Sequence, residues 1–262
     1  MILTETETAL AGNEAQTILR RMELGDSSQL RKAFLQNIMR RRHEGQLSLM
    51  SGLVVDRILV QELESPHTDM RCGVNIICRP TTEVVEYIVS IQEYLRVFEP
   101  DQYYYPPADL HLTLVEICHS RTPEDVLRIA GVVGPETSRI AAMTPLPKVD
   151  SPMLVFDSHA VALNFLPTDD ALQNARQFIL EGLANIGISI DSRHEAKSAH
   201  VTLMRYITPL RSCAEEWVSN LLNVPPKPEL EWLLSPVWLT WGANWYGMRS
   251  RIEELGPIQL GA

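Results

Sequence analysis

What this sequence lacks narrows its function before any motif is read. Cysteine is scarce, with four in 262 residues: Cys72, Cys78, Cys118 and Cys213. None stands in a CxxC pair or a dense cluster, which argues against both a disulfide framework and a zinc site. Positive charge is short as well, since 23 basic against 33 acidic side chains leave a formal net charge of −10. A whole-protein basic footprint for gripping long double-stranded nucleic acid is therefore missing, although a few local cations suffice to hold one phosphate. No apolar run approaches the roughly 18–20 residues that span a bilayer. The opening MILTETETALAG has no basic stretch followed by an apolar one, so a secretory signal is not expected. The expectation is a cytoplasmic protein with bare thiols and no membrane partner. A GxxxxGK[ST] phosphate loop, a GxSxG elbow and an HExxH helix are absent too. With no His/Cys/Asp/Glu cluster at ligand spacing, neither a metal nor a cofactor is expected.

What is present is an ordinary globular composition, 45% hydrophobic and 21% charged, in a chain long enough to bury a substantial core. The first third differs from the rest. Segments 14–24 and 26–42 both read as helices, divided by Gly25. In the second, Leu30, Phe34 and Ile38 recur at a helical interval, and Asp26 or Ser27 can cap the start. Arg40, Arg41 and Arg42 then fall in the last turn, where cations suit the helix dipole. They read as a solvated helix end or, alternatively, as a patch that meets RNA. The apolar stripe of these helices must be buried somewhere, which makes a homodimer through them a candidate assembly. Segment 52–63 (GLVVDRILVQEL) is rich in β-branched residues and reads as a strand.

After Ser65-Pro66-His67 a regular alternation begins. Strands are expected at 72–78, 109–117, 200–206 and 237–241, with one long strand or a hairpin around Asp157-Ser158 at 152–166. Helices are expected at 83–97, 123–133, 171–185 and 214–222. The order strand, helix, strand, helix over 72–133 recurs over roughly 159–222, while the two halves share little sequence. This suggests a duplicated unit whose copies face one another, and two copies are too few for a solenoid. The expected fold class is α+β: two pseudo-symmetric lobes with antiparallel sheets and flanking helices around a central cleft. Residues 1–65 would form a helical extension, 66–250 the two-lobed domain and 251–262 a tail.

The chemistry lies in two tetrapeptides, His111-Leu112-Thr113-Leu114 and His200-Val201-Thr202-Leu203. Side chains alternate along a strand, so His and Thr two apart share a face while the intervening Leu or Val points into a core. If the strands are symmetry mates, two imidazoles and two hydroxyls converge. In-line displacement at phosphorus needs such a set. One imidazole takes a proton from the attacking hydroxyl or water, and the other gives one to the leaving oxygen. An unperturbed pKa of about 6.5 suits histidine to both tasks. Thr113 and Thr202 can donate to the non-bridging oxygens.

Paired HxTx motifs in a duplicated α/β chain resemble the 2H phosphoesterase superfamily, which includes 2′,5′ RNA ligase-like proteins and cyclic nucleotide phosphodiesterases. The resemblance covers roughly residues 70–245. It implies a two-lobed fold with a water-filled cleft, a metal-independent mechanism, and substrates carrying a 2′,3′-cyclic phosphate or a 2′,5′ linkage. His111 and His200 would be the catalytic pair, with Thr113 and Thr202 binding substrate. Arg205 matches a basic residue often found shortly after the second motif. The expected activity is a hydrolase opening a small phosphodiester of a nucleotide or RNA end. A non-catalytic nucleotide or RNA-end binding module and a 2′,5′ RNA ligase are the alternatives.

Some neighbours carry two readings. Arg205, three places after Thr202, points to the opposite face unless the strand ends or bulges there. One of Tyr103, Tyr104 and Tyr105, above all Tyr105, could stack on a base, and so could Tyr206; otherwise these rings pack their own loop. His43, His67, His119, His159 and His194 read as surface histidines. Trp232, Trp238, Trp241 and Trp245 read as core or interface, although Trp241 could close one end of the cleft.

Overall fold

The computed structural model describes residues 29–141, 146–192 and 198–258. The helix expected at 14–24 and His194 lie outside them. The helices are α1 (Gln29–Ser51), α2 (Arg57–Glu64), α3 (Thr82–Arg96), α4 (Pro123–Ala141), α5 (Ala171–Asn185) and α6 (Ala214–Leu222). The strands are β1 (Cys72–Cys78), β2 (Tyr103–Tyr104), β3 (Leu112–Arg121), β4 (Lys148–Phe156), β5 (Ala160–Pro167), β6 (Ala199–Arg205), β7 (Glu231–Leu233), β8 (Val237–Gly242) and β9 (Ile252–Ile258). Among the described residues no helix is long and apolar enough to cross a membrane.

Local chemistry explains the ends of these elements. Thr81 caps α3 by accepting from the Val84 amide, with Glu83 in the first turn and Arg96 in the last, as the helix dipole favours. Its Val84, Ile88, Ile91 and Leu95 recur at helical spacing and are buried. The segment at 152–166 resolves into the β4–β5 hairpin, whose turn is tied by Asp157: its Oδ1 accepts from the His159 amide at 2.7 Å and from the Ala160 amide at 3.0 Å.

The strands form one antiparallel sheet in the order β7-β4-β5-β6-β3-β1-β8-β9, with β2 added on β6. The expected duplication is visible in it. The units β1-α3-β3-α4 and β5-α5-β6-α6 each pair their two strands antiparallel. A strand that follows each unit crosses over: β4, after the first, pairs with β5, and β8, which comes after β7 at the end of the second, pairs with β1. The halves are thereby interlocked, and the architecture is α+β with two pseudo-symmetric halves.

At their junction β3 and β6 pair through Leu112 and Val201 alone. Where these strands part, Arg176 of α5 fills the gap. Its Nε donates to the Leu114 carbonyl at 3.1 Å, and Nη2 donates to those of Ser198 at 2.7 Å and Thr113 at 3.4 Å. A buried guanidinium thus satisfies carbonyls that a continuous ladder would have paired.

One face of the sheet is covered by α3, α4, α5 and α6, whose apolar residues join Leu112, Leu114, Val201 and Leu203 in the main core. The other face is covered by α1 over β4 and β5, with Phe34, Leu35, Ile38 and Met39 packed on Met153, Val155 and Leu166. Each such side chain contributes about 1.5–3 kcal/mol when fully buried. The apolar stripe of α1 is therefore buried on the chain's own sheet.

Several expectations are corrected here. Helix α1 does not end near Arg42 but continues through Gly45 to Ser51, before Gly52 (φ 141°); the arginine run is mid-helix. Gly45 belongs to it for a packing reason, since a Cβ there would collide with the Phe156 carbonyl oxygen. Segment 52–63 is no strand: Asp56 accepts from the Leu59 amide at 3.0 Å and caps α2. A good N-cap before an amphipathic turn outweighs β-branched composition. Residues 251–258 are not a tail either, because β9 pairs along β8 and Arg251 forms an ion pair with Glu62 on α2.

Candidate active site

The single pair Leu112–Val201 fixes the geometry of both motifs. Counting outward along antiparallel strands sets His111 opposite Thr202 and Thr113 opposite His200. Leu112 and Val201 point into the core, so alternation sends the other four side chains to the opposite face, where each is partly exposed. Two imidazoles and two hydroxyls meet at one crossing, each imidazole facing the other strand's hydroxyl.

Both strands then bulge at equivalent places. In β6 the register slips against Val161 and Ala162, leaving Leu203 and Met204 both buried. In β3 it slips against Ile76 and Ile77, leaving Leu114 and Val115 both buried. An extra residue reverses the alternation. Arg205 therefore comes to the face of His200 and Thr202, and Glu116 to that of His111 and Thr113.

The two imidazoles are held differently. His111 Nδ1 lies 2.7 Å from the Asp109 carbonyl, which can only accept, so Nδ1 carries the proton and Nε2 remains for proton transfer. Gly247 (φ 75°) lies against this ring, and a Cβ there would sit 2.6 Å from His111 Cε1. His200 Nδ1 lies 2.8 Å from the Ser198 hydroxyl, which can donate or accept. Burial pushes the His111 pKa below its ordinary value; the Asp109 carbonyl opposes this and the Arg79 charge adds to it. His200 is pushed down to about 4, by burial first and then by the charges of Arg41, Arg176, His111 and Arg205. Both shifts favour the neutral ring, and His200 is the one in the more cationic surroundings.

Arg205 is anchored from behind. Its Nε donates to the Tyr105 hydroxyl at 3.1 Å, and Nη1 lies 3.5 Å from an oxygen of Asp56, the residue that caps α2. The Tyr246 hydroxyl donates to the other Asp56 oxygen at 2.9 Å. Tyr105, expected to contact substrate, is only 4% exposed and packs edge-on against Tyr103. Burial makes it a support for Arg205 rather than a stacking platform. Tyr206 is wholly buried, accepting from Trp217 Nε1 at 2.9 Å, and is no platform either.

Other residues in the neighbourhood escaped sequence reasoning. Asn164 stands opposite His200 across the β5–β6 ladder, 1% exposed, with an Oδ1 that has no partner among the described residues. A polar residue inside the apolar AVALNFLP strand was its available signal. On the other side, Ile77 pairs with Thr113 and Trp238 pairs with Ile77. The tryptophan in line with the motif is thus Trp238 rather than Trp241. Arg79 and Arg41 come from segments whose place beside the histidines depends on long-range packing. His119 lies within β3, 4.0 Å from an oxygen of Asp191, while His43, His67 and His159 are exposed.

No protein-family model and no curated protein matches this chain. Solved structures do. TT0787 of Thermus thermophilus aligns over 72% of this chain and 97% of its own at 17% identity, with a TM-score of 0.50. Escherichia coli LigT, solved with 3′-AMP, aligns over 73% and 99% at 16% identity, with a TM-score of 0.46. At 17% identity the likeness to TT0787 is one of fold.

Proposed function

We propose that this chain is a phosphoesterase of the 2H type, opening a 2′,3′-cyclic phosphate or 2′,5′ phosphodiester of a nucleotide or RNA end without a cofactor. The observation that carries the proposal is the crossing of His111, Thr113, His200 and Thr202 on one face at the Leu112–Val201 pair. A phosphate seated there has an imidazole on each side and two hydroxyls for its non-bridging oxygens. Arg205 adds a charge to the same face. Trp238, beyond Thr113 and Ile77 and partly exposed, offers an apolar surface to a nucleobase.

The surroundings support one division of roles. Proton donation requires an imidazolium, and a bound phosphate anion favours one. His111 takes the proton first, because its Nδ1–H is already held by a carbonyl and it feels the charge of one arginine rather than three. His200 stays neutral and acts as the base on water. His111 then gives its proton to the departing ribose oxygen, and each ring ends with the charge state the other began with. The bare thiols, three of them buried, fit a reducing, cytoplasmic setting.

A panel of 2′,3′-cyclic nucleotides, cyclic-phosphate oligonucleotides and 2′,5′-oligoadenylates tests the proposal. Turnover of one class in excess chelator is the expected result. Tight binding without turnover, unchanged in the histidine variants, would establish a binding module instead. Joining of RNA ends would establish a ligase.

A further inference from the structure

We infer that Arg41 of α1 is a substrate-binding residue for a second phosphate group, so that the preferred substrate carries another phosphate beside the scissile one. This rests on the phosphoesterase reading of the site and deepens it. The arginine run, which in the sequence reads as a solvated helix end, is divided by the fold into three different environments. Arg40 is exposed and paired with Glu44 at 2.9 Å, and Arg42 is buried against the sheet. Arg41 lies between them, half-buried, with no hydrogen bond or ion pair among the described residues.

The position of Arg41 follows from how α1 is pinned. Near its start, Arg31 donates to the Pro167 carbonyl at 3.0 Å and pairs with Asp150. Further on, Gly45 rests on the Phe156 carbonyl. The helix therefore runs along β4 on the face that carries the motifs. Arg41 precedes Gly45 by four residues, about 6 Å at the helical rise. On β4 that distance corresponds to two residues before Phe156, at about 3.4 Å each, which is the level of Leu154. Leu154 pairs with Leu163, Leu163 with Val201, and Val201 with Leu112. Arg41 is thus level with the crossing of the two motifs, but over β4 and β5 instead of β6 and β3. Its charge is felt at His200 more strongly than that of any other residue.

A group displaced in this way does not duplicate Arg205, which lies on the motif strand itself and is partly neutralised by Asp56. The scissile phosphate already meets two hydroxyls, two imidazoles and Arg205. Arg41, on the His200 side and with no carboxylate partner among the described residues, suits a second anionic group flanking the first. A guanidinium reads phosphate through paired N–H donors, which a carboxamide cannot replace.

The test compares one-phosphate and two-phosphate ligands. The turnover pairs are adenosine 2′,3′-cyclic phosphate with and without a 5′-phosphate, and a 2′,5′-linked adenosine dinucleotide with and without a terminal phosphate. The binding pair is adenosine 2′-monophosphate against adenosine 2′,5′-bisphosphate, measured by calorimetry. In the wild type the second phosphate should raise kcat/KM or affinity by about 10- to 100-fold. Arg41→Gln should abolish that gain, read as the ratio between the two-phosphate and one-phosphate ligands within the same variant, so that any change at His200 cancels. Arg41→Lys should keep part of it, and Arg40→Gln all of it, with circular dichroism confirming the helix in each. Equal handling of both ligands by the wild type, or a gain that survives Arg41→Gln, overturns the inference. If no substrate turns over, the phosphoesterase reading fails, and the binding pair still decides the role of Arg41.

Discussion

The two motif strands share a frame and differ in what surrounds it. Each runs His-x-Thr-Leu, bulges after the leucine, and returns a charged side chain to the open face. On β3 that side chain is Glu116, and on β6 it is Arg205. His111 is fixed by a backbone carbonyl and backed by Gly247, whereas His200 rests on a rotatable hydroxyl amid arginines. Duplication therefore supplies two equivalent imidazole–hydroxyl pairs, and departures from symmetry give them unequal proton affinity. A displacement with one attacking and one leaving oxygen needs that inequality.

The largest expected effect comes from breaking both halves of the comparison. His111→Ala and His200→Ala should each lower kcat by about 10²–10⁴-fold. The double variant should lose less than the product of the singles, because two groups serving one displacement act as a unit. Full multiplicativity in steady-state rates would mean that the rings work in separate steps.

Next come the groups that hold the phosphate. Thr113→Val, Thr202→Val and Arg205→Gln each remove hydrogen bonds to a charged oxygen, worth about 1.5–3 kcal/mol in kcat/KM. The threonines should match one another, as symmetry requires. Glu116→Gln, at the position equivalent to Arg205, should stay within about 0.5 kcal/mol. A Glu116 effect as large as that of Arg205 would show that the two ends of the site do not differ in function.

A smaller effect, a shift in pH, sharpens the same contrast. In the free protein His200 stays neutral down to about pH 4, and His111 is protonated only below the ordinary histidine range. The productive form, with neutral His200 and protonated His111, therefore occupies a window that opens near 4 and closes under about 6.5. The kcat/KM profile should be a bell centred on the acid side of about 6.5. The kcat profile should lie higher, since bound phosphate favours imidazolium. Arg205→Gln removes a cation near His200 and should move the acid limb upward. A kcat/KM optimum well above neutrality would contradict this account of the charges.

Most of the frame was legible because it rests on local signals. The helix at 171–185 and the strand at 72–78 were bounded by periodicity and turn residues, and the HxT spacing alone put His and Thr on one face. What escaped depends on pairing between distant segments. No sequence period shows that β3 and β6 touch at one residue pair, or that bulges turn Arg205 and Glu116 outward. The role of Arg205 hung on such a bulge, and Leu203-Met204 reads as ordinary strand until its partner register is known. Likewise Arg41 reads as a helix end, because nothing local says that α1 continues past Gly45 to lie along β4. Asp56 shows a competition between local rules, with one capping carboxylate overriding a β-branched run.

The central claim is that His111 is the acid and His200 the base, and a change of leaving group tests it most directly. A p-nitrophenyl ester at the same phosphorus departs without a proton, so it needs the base and not the acid. His111→Ala should hydrolyse such an ester at close to the wild-type rate while losing about 10²–10⁴-fold on the ribose ester. His200→Ala should be slow on both. Rescue of His200→Ala rather than His111→Ala would reverse the assignment, and rescue of neither would remove proton donation from the account.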